Sequence, residues 1–191
     1  MIIEKGRPHD PSGRLQKEIR VYDMLDRLKI EYDRADHAVV DTMEDCRKVS
    51  SELHVDICKN LFLCNRQHTQ FYLLLMPDGK KFLTKELSGQ IGSSRLSFAG
   101  AEYMERLLDI TPGSVSVMGL MNDSENQVRL LMDEDLLREE YLGCHPCINT
   151  SSIRLRTKDV LDIFLPAVHH GMEAVHLEGC PFFKRRSPLS L

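Results

Sequence analysis

The densest run of reactive side chains is Gly143-Cys144-His145-Pro146-Cys147-Ile148-Asn149-Thr150. A flexible residue, an imidazole and a rigid proline precede a strand-like stretch, the composition of a loop that presents backbone N–H groups and a positioned His145 at a pocket rim. It also suits a plain turn with an exposed histidine. The Cys-x-x-Cys pair inside it invites thiol–disulfide exchange, which needs a thiol of lowered pKa at a helix N-terminus. Here Ile148-Asn149-Thr150-Ser151-Ser152-Ile153 follows, β-branched and polar, so the pair opens a strand and the redox reading loses its basis. Zinc is disfavoured too. Cys144, His145 and Cys147 are crowded, no second Cys-x-x-Cys or His-x3-His exists, and Cys58, Cys64 and His68 lack ligand spacing. No metal or cofactor is expected, and the cysteines read as small core or loop residues.

Lys59 sits where a loop enters an otherwise apolar strand, so its ammonium is either drawn toward a pocket or solvated at the surface. In Ser93-Ser94-Arg95-Leu96-Ser97-Phe98 one arginine stands among hydroxyl residues, suited to a phosphate contact or to ordinary surface. Phosphate-cradling glycine loops, the Gly-x-Ser-x-Gly elbow and His-Glu-x-x-His do not occur. Nucleotide hydrolysis and serine-esterase chemistry lose support accordingly.

The elements that must position these residues follow from periodicity. Asp10-Pro11-Ser12 predicts a helix start, with Leu15, Ile19, Tyr22, Leu25 and Leu28 at helical spacing. A strand is expected near Ile30–Arg34. Asp41-Thr42-Met43-Glu44 then resembles a capping box for a second helix to about Leu53. Leu61–Cys64, Gln70–Met76 and Lys81–Thr84, the last two joined by the turn Pro77-Asp78-Gly79-Lys80, read as three consecutive antiparallel strands. Ala101–Leu108 reads as a helix and Thr111-Pro112-Gly113 as a turn. Ser114–Leu120 and Val128–Met132 read as a second meander. A strand over Cys147–Leu155 leads into a helix capped by Thr157. The fold class is α+β, a largely antiparallel central sheet flanked by helices. The domain is expected over 1–170, and 171–191, within a stretch without sustained period from His169, as a loosely packed C-terminal tail of unassigned role.

With 191 residues, 42% of them hydrophobic and 28% charged, the chain has the apolar mass for one core and is too short for a multidomain machine. A formal charge of -4 argues against coating long nucleic acid, DNA included, but permits a short local contact. No apolar run approaches the ~18–20 residues of a membrane span, and the start MIIEKGRPHD lacks a secretory layout. A soluble cytoplasmic protein with reduced thiols is expected.

Five pieces in series carry a resemblance: Lys59-Asn60-Leu61-Phe62-Leu63, Tyr72-Leu73-Leu74-Leu75, Arg95-Leu96-Ser97-Phe98-Ala99, Pro112-Gly113-Ser114-Val115-Ser116, and the His145-Pro146 loop with Asn149-Thr150. In this order and spacing, over roughly Gln16 to Leu165, the chain resembles the prolyl-tRNA synthetase-associated domain family, the YbaK-like aminoacyl-tRNA deacylases. Within that family it is most similar to the free-standing alanyl-tRNA(Pro) deacylases.

The resemblance implies an enzyme that hydrolyses the ester joining a wrong amino acid, most of all alanine, to the acceptor end of tRNA(Pro), with prolyl-tRNA synthetase as a possible partner. It gives Lys59 and His145 catalytic roles and casts Asn60, Gly143, Pro146, Asn149 and Arg95 as substrate-binding, Arg95 toward the acceptor stem. Where relatives carry an aromatic before His-Pro and an aliphatic after it, this chain has Cys144 and Cys147. A deacylase for another amino acid, or a non-catalytic module binding an amino acid or tRNA, remains the alternative.

Overall fold

The computed structural model describes residues 2–39 and 43–178. Strands β1 (Ile2–Lys5) and β2 (Tyr32–Asp36) flank helix α1 (Gln16–Arg27). Helix α2 (Met43–Leu53) leads to β3 (Lys59–Asn65) and β4 (Phe71–Met76). Then come α3 (Thr84–Gln90), β5 (Leu96–Phe98), α4 (Ala101–Leu108) and a 3₁₀ turn at Val117–Asn122. After β6 (Val128–Asp133) and α5 (Glu134–Leu137), β7 (Tyr141–Cys144) and β8 (Ser151–Arg156) form a hairpin. A helical run, α6 (Thr157–Asp159), a π-helical Val160–Phe164 and α7 (Leu165–Ala167), precedes β9 (Met172–Val175).

Two sheets result, where one central sheet was expected. The first has the order β1-β2-β8-β7 and is antiparallel throughout. The second has the order β5-β3-β4-β6-β9, antiparallel across β5-β3-β4 and parallel across β4-β6-β9. One apolar cluster joins them, drawing Leu142, Ile153 and Leu155 from the first sheet and Phe62, Leu73 and Leu130 from the second. Tyr22 and Leu25 of α1 complete it. All six residues of β4 are buried, which explains why Phe71–Met76 reads as a continuous apolar run instead of an alternating one.

The fold is α+β and mostly antiparallel, as expected, but several local readings are corrected. Lys81–Thr84 is no strand. Lys80 N–H closes the Pro77 turn at 3.1 Å, and the chain proceeds into α3. Ser114–Leu120 does not pair with Val128–Met132. Ser116 Oγ accepts from Met118 N–H at 3.2 Å and starts a buried 3₁₀ turn, while β6 reaches β4 by a crossover and pairs parallel. The expected strand over Cys147–Leu155 begins only at Ser151, because Cys147 takes a left-handed φ of 63°. Asp10 closes a turn onto Ser12 N–H and caps no helix, and α1 begins six residues later. Thr157 lies inside its helix, not at the cap, and Asp41-Thr42 lies outside the described residues.

Nor does the fold stop at 170. Met172–Val175 pairs with β6 as an edge strand, and Val175 and Leu177 are buried. Four residues are too few to display a period. The expected tail beyond Glu178 lies outside the described residues.

The first sheet is tied to α1 by charge. Arg34 is 0% exposed and reaches Glu4, Asp36 and the Gly6 carbonyl. Arg14 bridges Asp36 at 2.6 Å and Glu18 at 2.5 Å, and Tyr22 Oη donates to Glu18 at 2.7 Å. Burial alone would raise the Asp36 carboxyl, but the Arg14 and Arg34 guanidiniums override it and hold its pKa at about 2. The thiols behave oppositely. Burial pushes Cys58 and Cys147 up to about 12, and burial with Cys58 nearby raises Cys144 well above the usual thiol range.

Arg34→Ala removes the buried cation between Glu4 and Asp36, leaving Asp36 with Arg14 alone, and should cost about 2 kcal/mol in urea unfolding. Because Asp36 is depressed in the folded state, its contribution is complete above its unfolded pKa near 3.8 and lost as pH falls toward 2. Acid titration of stability should show that loss, and Asp36→Asn should flatten it. Cys58, Cys144 and Cys147 should resist a thiol reagent in native buffer and label on denaturation, read by peptide mass mapping.

Candidate active site

The site is built where the two sheets meet. The segment from α2 to β3 crosses β7, and Ile57 and Gly143 form a parallel bridge with Cys58 N–H donating to Gly143 O at 3.1 Å. A Cβ on Gly143 would lie 2.9 Å from Ile57 Cδ1, 2.9 Å from Val55 Cγ1 and 3.0 Å from Asp56 O. Only a residue without a side chain lets the backbones approach this closely. Lys59 lies two residues beyond Ile57, and His145 two beyond Gly143. Parallel neighbours sit about 4.8 Å apart, so the bridge holds the two chains side by side just before both residues.

Lys59 and His145 line one cavity of about 780 Å³. Its walls come from Ser50 of α2 and His54 just after it, the Pro77-Asp78 turn, Glu139 of the α5–β7 connection and Tyr141 at the start of β7. The Lys59 side chain is 35% exposed, which sets aside the freely solvated reading. Its ammonium donates to the carbonyls of Asp78 and Lys80, the latter at 3.1 Å, with Asp78 Oδ1 3.8 Å away. The turn Pro77-Asp78-Gly79-Lys80 therefore works as a clamp, and the third donor of the ammonium is uncommitted among the described residues.

His145 is half-buried, with Nδ1 2.9 Å from the Ser151 carbonyl and 3.3 Å from Ser152 Oγ. A carbonyl can only accept, so Nδ1 carries the proton, and the neutral ring keeps Nε2 as a bare acceptor without a partner among the described residues. Burial lowers the His145 pKa, the Ser151 carbonyl opposes the shift, and the His37 ring adds to it. His37 and Ser152 were not singled out from the sequence. His37 Nε2 is 2.9 Å from Ser152 Oγ, and the two imidazoles stand 6.3 Å apart. Their only sequence signal was type, since 115 residues separate them.

The remaining expected site residues are placed differently. Asn60 does not line the cavity; its Nδ2 donates back to Cys58 O at 3.0 Å, leaving Oδ1 buried without a partner among the described residues. Gly143 acts through its missing side chain. Pro146 is buried behind His145, and Asn149 stands against the Gly113 turn, its Nδ2 3.5 Å from where a Gly113 Cβ would lie. Arg95 is exposed beside β5, which pairs with the Asn65 end of β3. Six residues of strand, about 20 Å, separate that end from Lys59.

The cavity therefore offers a clamped cation and a neutral acceptor, a pair suited to an ester carbonyl and a hydroxyl or ammonium donor. Comparison with known proteins agrees with this chemistry. Residues 37–163 match the family model for the aminoacyl-tRNA editing domain. The prolyl-tRNA editing protein ProX of Acetoanaerobium sticklandii is 35% identical over 153 residues, 80% of this chain and 93% of that protein. Prolyl-tRNA synthetase associated domain-containing protein 1 of Danio rerio is 28% identical over 158 residues, 82% of this chain and 84% of that one. The crystal structure of a candidate trans-editing enzyme for prolyl tRNA synthetase superposes with a TM-score of 0.64 at 15% identity, over 85% of this chain and 96% of the other, a likeness of fold. The match covers both Lys59 and His145 and most of the two sheets that hold them: the chain belongs to the aminoacyl-tRNA editing domain family.

Proposed function

We propose that the protein is a trans-editing deacylase that hydrolyses alanyl-tRNA(Pro), freeing alanine and intact tRNA. The observation that supports this most is the delivery of Lys59 and His145 to one cavity by the Ile57–Gly143 bridge. An aminoacyl ester is activated, so orienting it and stabilising charge on its carbonyl oxygen suffices, and a covalent nucleophile is unnecessary. Lys59, clamped by the 78–80 turn, supplies the compact positive charge for the carbonyl oxygen as it gains charge. His145, neutral with Nε2 bare, accepts from a donor on the substrate: the α-ammonium or a ribose hydroxyl. Its role is to position the ester.

Size explains the need for a separate editing protein. A synthetase pocket built for proline cannot exclude a smaller amino acid, since one methylene discriminates by only ~1–3 kcal/mol. A second, narrower pocket that admits alanine and rejects proline spares the correct product. The buried Cys144 beside His145 belongs to the packing behind that pocket. Arg95, about 20 Å along β3, is too far to touch the ester and is assigned to acceptor-stem phosphate. Action in the cytoplasm beside prolyl-tRNA synthetase fits this role, and no described helix is long and apolar enough to cross a membrane.

Single-turnover deacylation of alanyl-, seryl-, cysteinyl- and prolyl-tRNA(Pro) tests the reading. Alanyl-tRNA(Pro) should be cleared fastest and prolyl-tRNA(Pro) spared; equal rates, or turnover of none, defeat it. Lys59→Ala should lower the single-turnover rate tenfold or more, about 1.4 kcal/mol, with tRNA affinity little changed, and Lys59→Arg should rescue poorly because a planar fork does not fit the carbonyl clamp. Gly143→Ala should impair the rate to a similar degree by wedging β7 from Ile57, visible also as a lower melting temperature.

A further inference from the structure

We propose that His37 is a positioning residue that acts through the Ser152 hydroxyl to hold His145 with its bare nitrogen toward the cavity. Three hydrogen bonds carry this, and chemistry fixes their direction. His37 Nδ1 is 2.8 Å from the Ala38 carbonyl, which only accepts, so His37 is protonated at Nδ1 and bare at Nε2. Ser152 Oγ, 2.9 Å from that bare Nε2, must donate its single proton there. The same oxygen then has only lone pairs to offer His145 Nδ1, 3.3 Å away, and so accepts from it together with the Ser151 carbonyl. Every donor meets an acceptor, and each proton points away from the cavity.

The fold builds this chain from two strands. Ser152 is 0% exposed and pairs with Ala35 in the β2–β8 ladder, and His37 follows β2 with its N–H on Thr150 O at 3.0 Å. A buried hydroxyl with a free proton could turn toward Nδ1 and donate, which would support the opposite tautomer and place an N–H where an acceptor is needed. By taking that proton, His37 closes the alternative. A structural account of His37 would need only a polar residue at the sheet edge; this account needs an acceptor at the position of Nε2.

The kinetic arm rests on the deacylase reading, and the spectroscopic arm does not. Long-range ¹H–¹⁵N spectra of histidine-labelled protein at about pH 8, where imidazoles are neutral, report which ring nitrogen is bare. Wild type should show His145 bare at Nε2. His37→Ala, which frees the hydroxyl proton, should move a measurable fraction to the other tautomer and lower kcat about fivefold or more with KM little changed. Ser152→Ala removes that hydroxyl and leaves the Ser151 carbonyl to hold Nδ1–H, so it should keep the wild-type tautomer, and added to His37→Ala it should reverse the shift. His37→Gln, whose Oε1 accepts the hydroxyl proton, should restore both the tautomer and the rate. Unchanged His145 signals in His37→Ala, or a glutamine variant as impaired as alanine, would overturn the proposal. If His37→Ala fails to fold, His37→Phe, of similar size but without an acceptor, decides the same question. A wild type inactive on every aminoacyl-tRNA defeats the deacylase reading, while the spectra still decide the tautomer.

Discussion

The structure turns on one backbone contact, between Ile57 and Gly143. Each sheet could satisfy most of its own hydrogen bonds, but the site needs residues from both, and the bridge fixes where one chain lies against the other. It is a local constraint with a long reach. Two residues downstream on each chain, Lys59 and His145 line the same cavity. No side chain that could react sets the contact: the neighbours of the Gly143 Cα are the Ile57 and Val55 methyls and the Asp56 backbone carbonyl. Reactivity here is placed by packing.

A second feature supports the imidazole side. From Glu4 the polar contacts run through Arg34, Asp36, Arg14, Glu18 and Tyr22 to Ser151 Oγ, 3.2 Å from Tyr22 Oη. Ser151 also supplies the carbonyl that holds His145. The N-terminal strand is thereby linked to the His145 loop by side chains that are mostly withdrawn from water. Such a chain contributes little net stability, since desolvating its charges offsets much of their attraction, but every member is specified by its neighbours. It gives the backbone of β8 a defined depth beneath α1, and His145 inherits that depth.

Much of this was legible in the residues. The helix over 101–108 and the Pro77–Lys80 turn follow from local chemistry, and both formed. Lys59 and His145 stand out because each interrupts an apolar or β-rich context, but their residues alone also suit a solvated lysine and a plain turn, and it was the family resemblance that gave them site roles. What failed was non-local. Nothing in Ser114–Leu120 distinguishes a strand from a buried 3₁₀ turn until Ser116 is seen capping Met118. The parallel pairing of β4 with β6 and the return of β9 depend on a crossover that no short window records. His37 and Ser152 look ordinary in the chain, and become a unit only when β2 and β8 pair. Asn60 is placed otherwise than its position suggests. A polar side chain next to Lys59 looks aimed at the pocket, yet a strand sends consecutive residues to opposite faces.

The order of the strands has a consequence for synthesis of the molecule. The first sheet takes β1 and β2 from the beginning of the chain and β7 and β8 from beyond residue 140, while the second sheet lies almost wholly between them. The insertion can pair β5-β3-β4 and add β6 while the ribosome is still at work, but β1 and β2 must wait, as a two-stranded ribbon with one open edge, for β8 to emerge. Pairings of such long sequence separation are slow to close and leave edges exposed in the interval. Lys59 is synthesised early and His145 late. The cavity that both line is closed only when the β7–β8 hairpin seats against β2, so a nascent chain carries one wall of it and not the other.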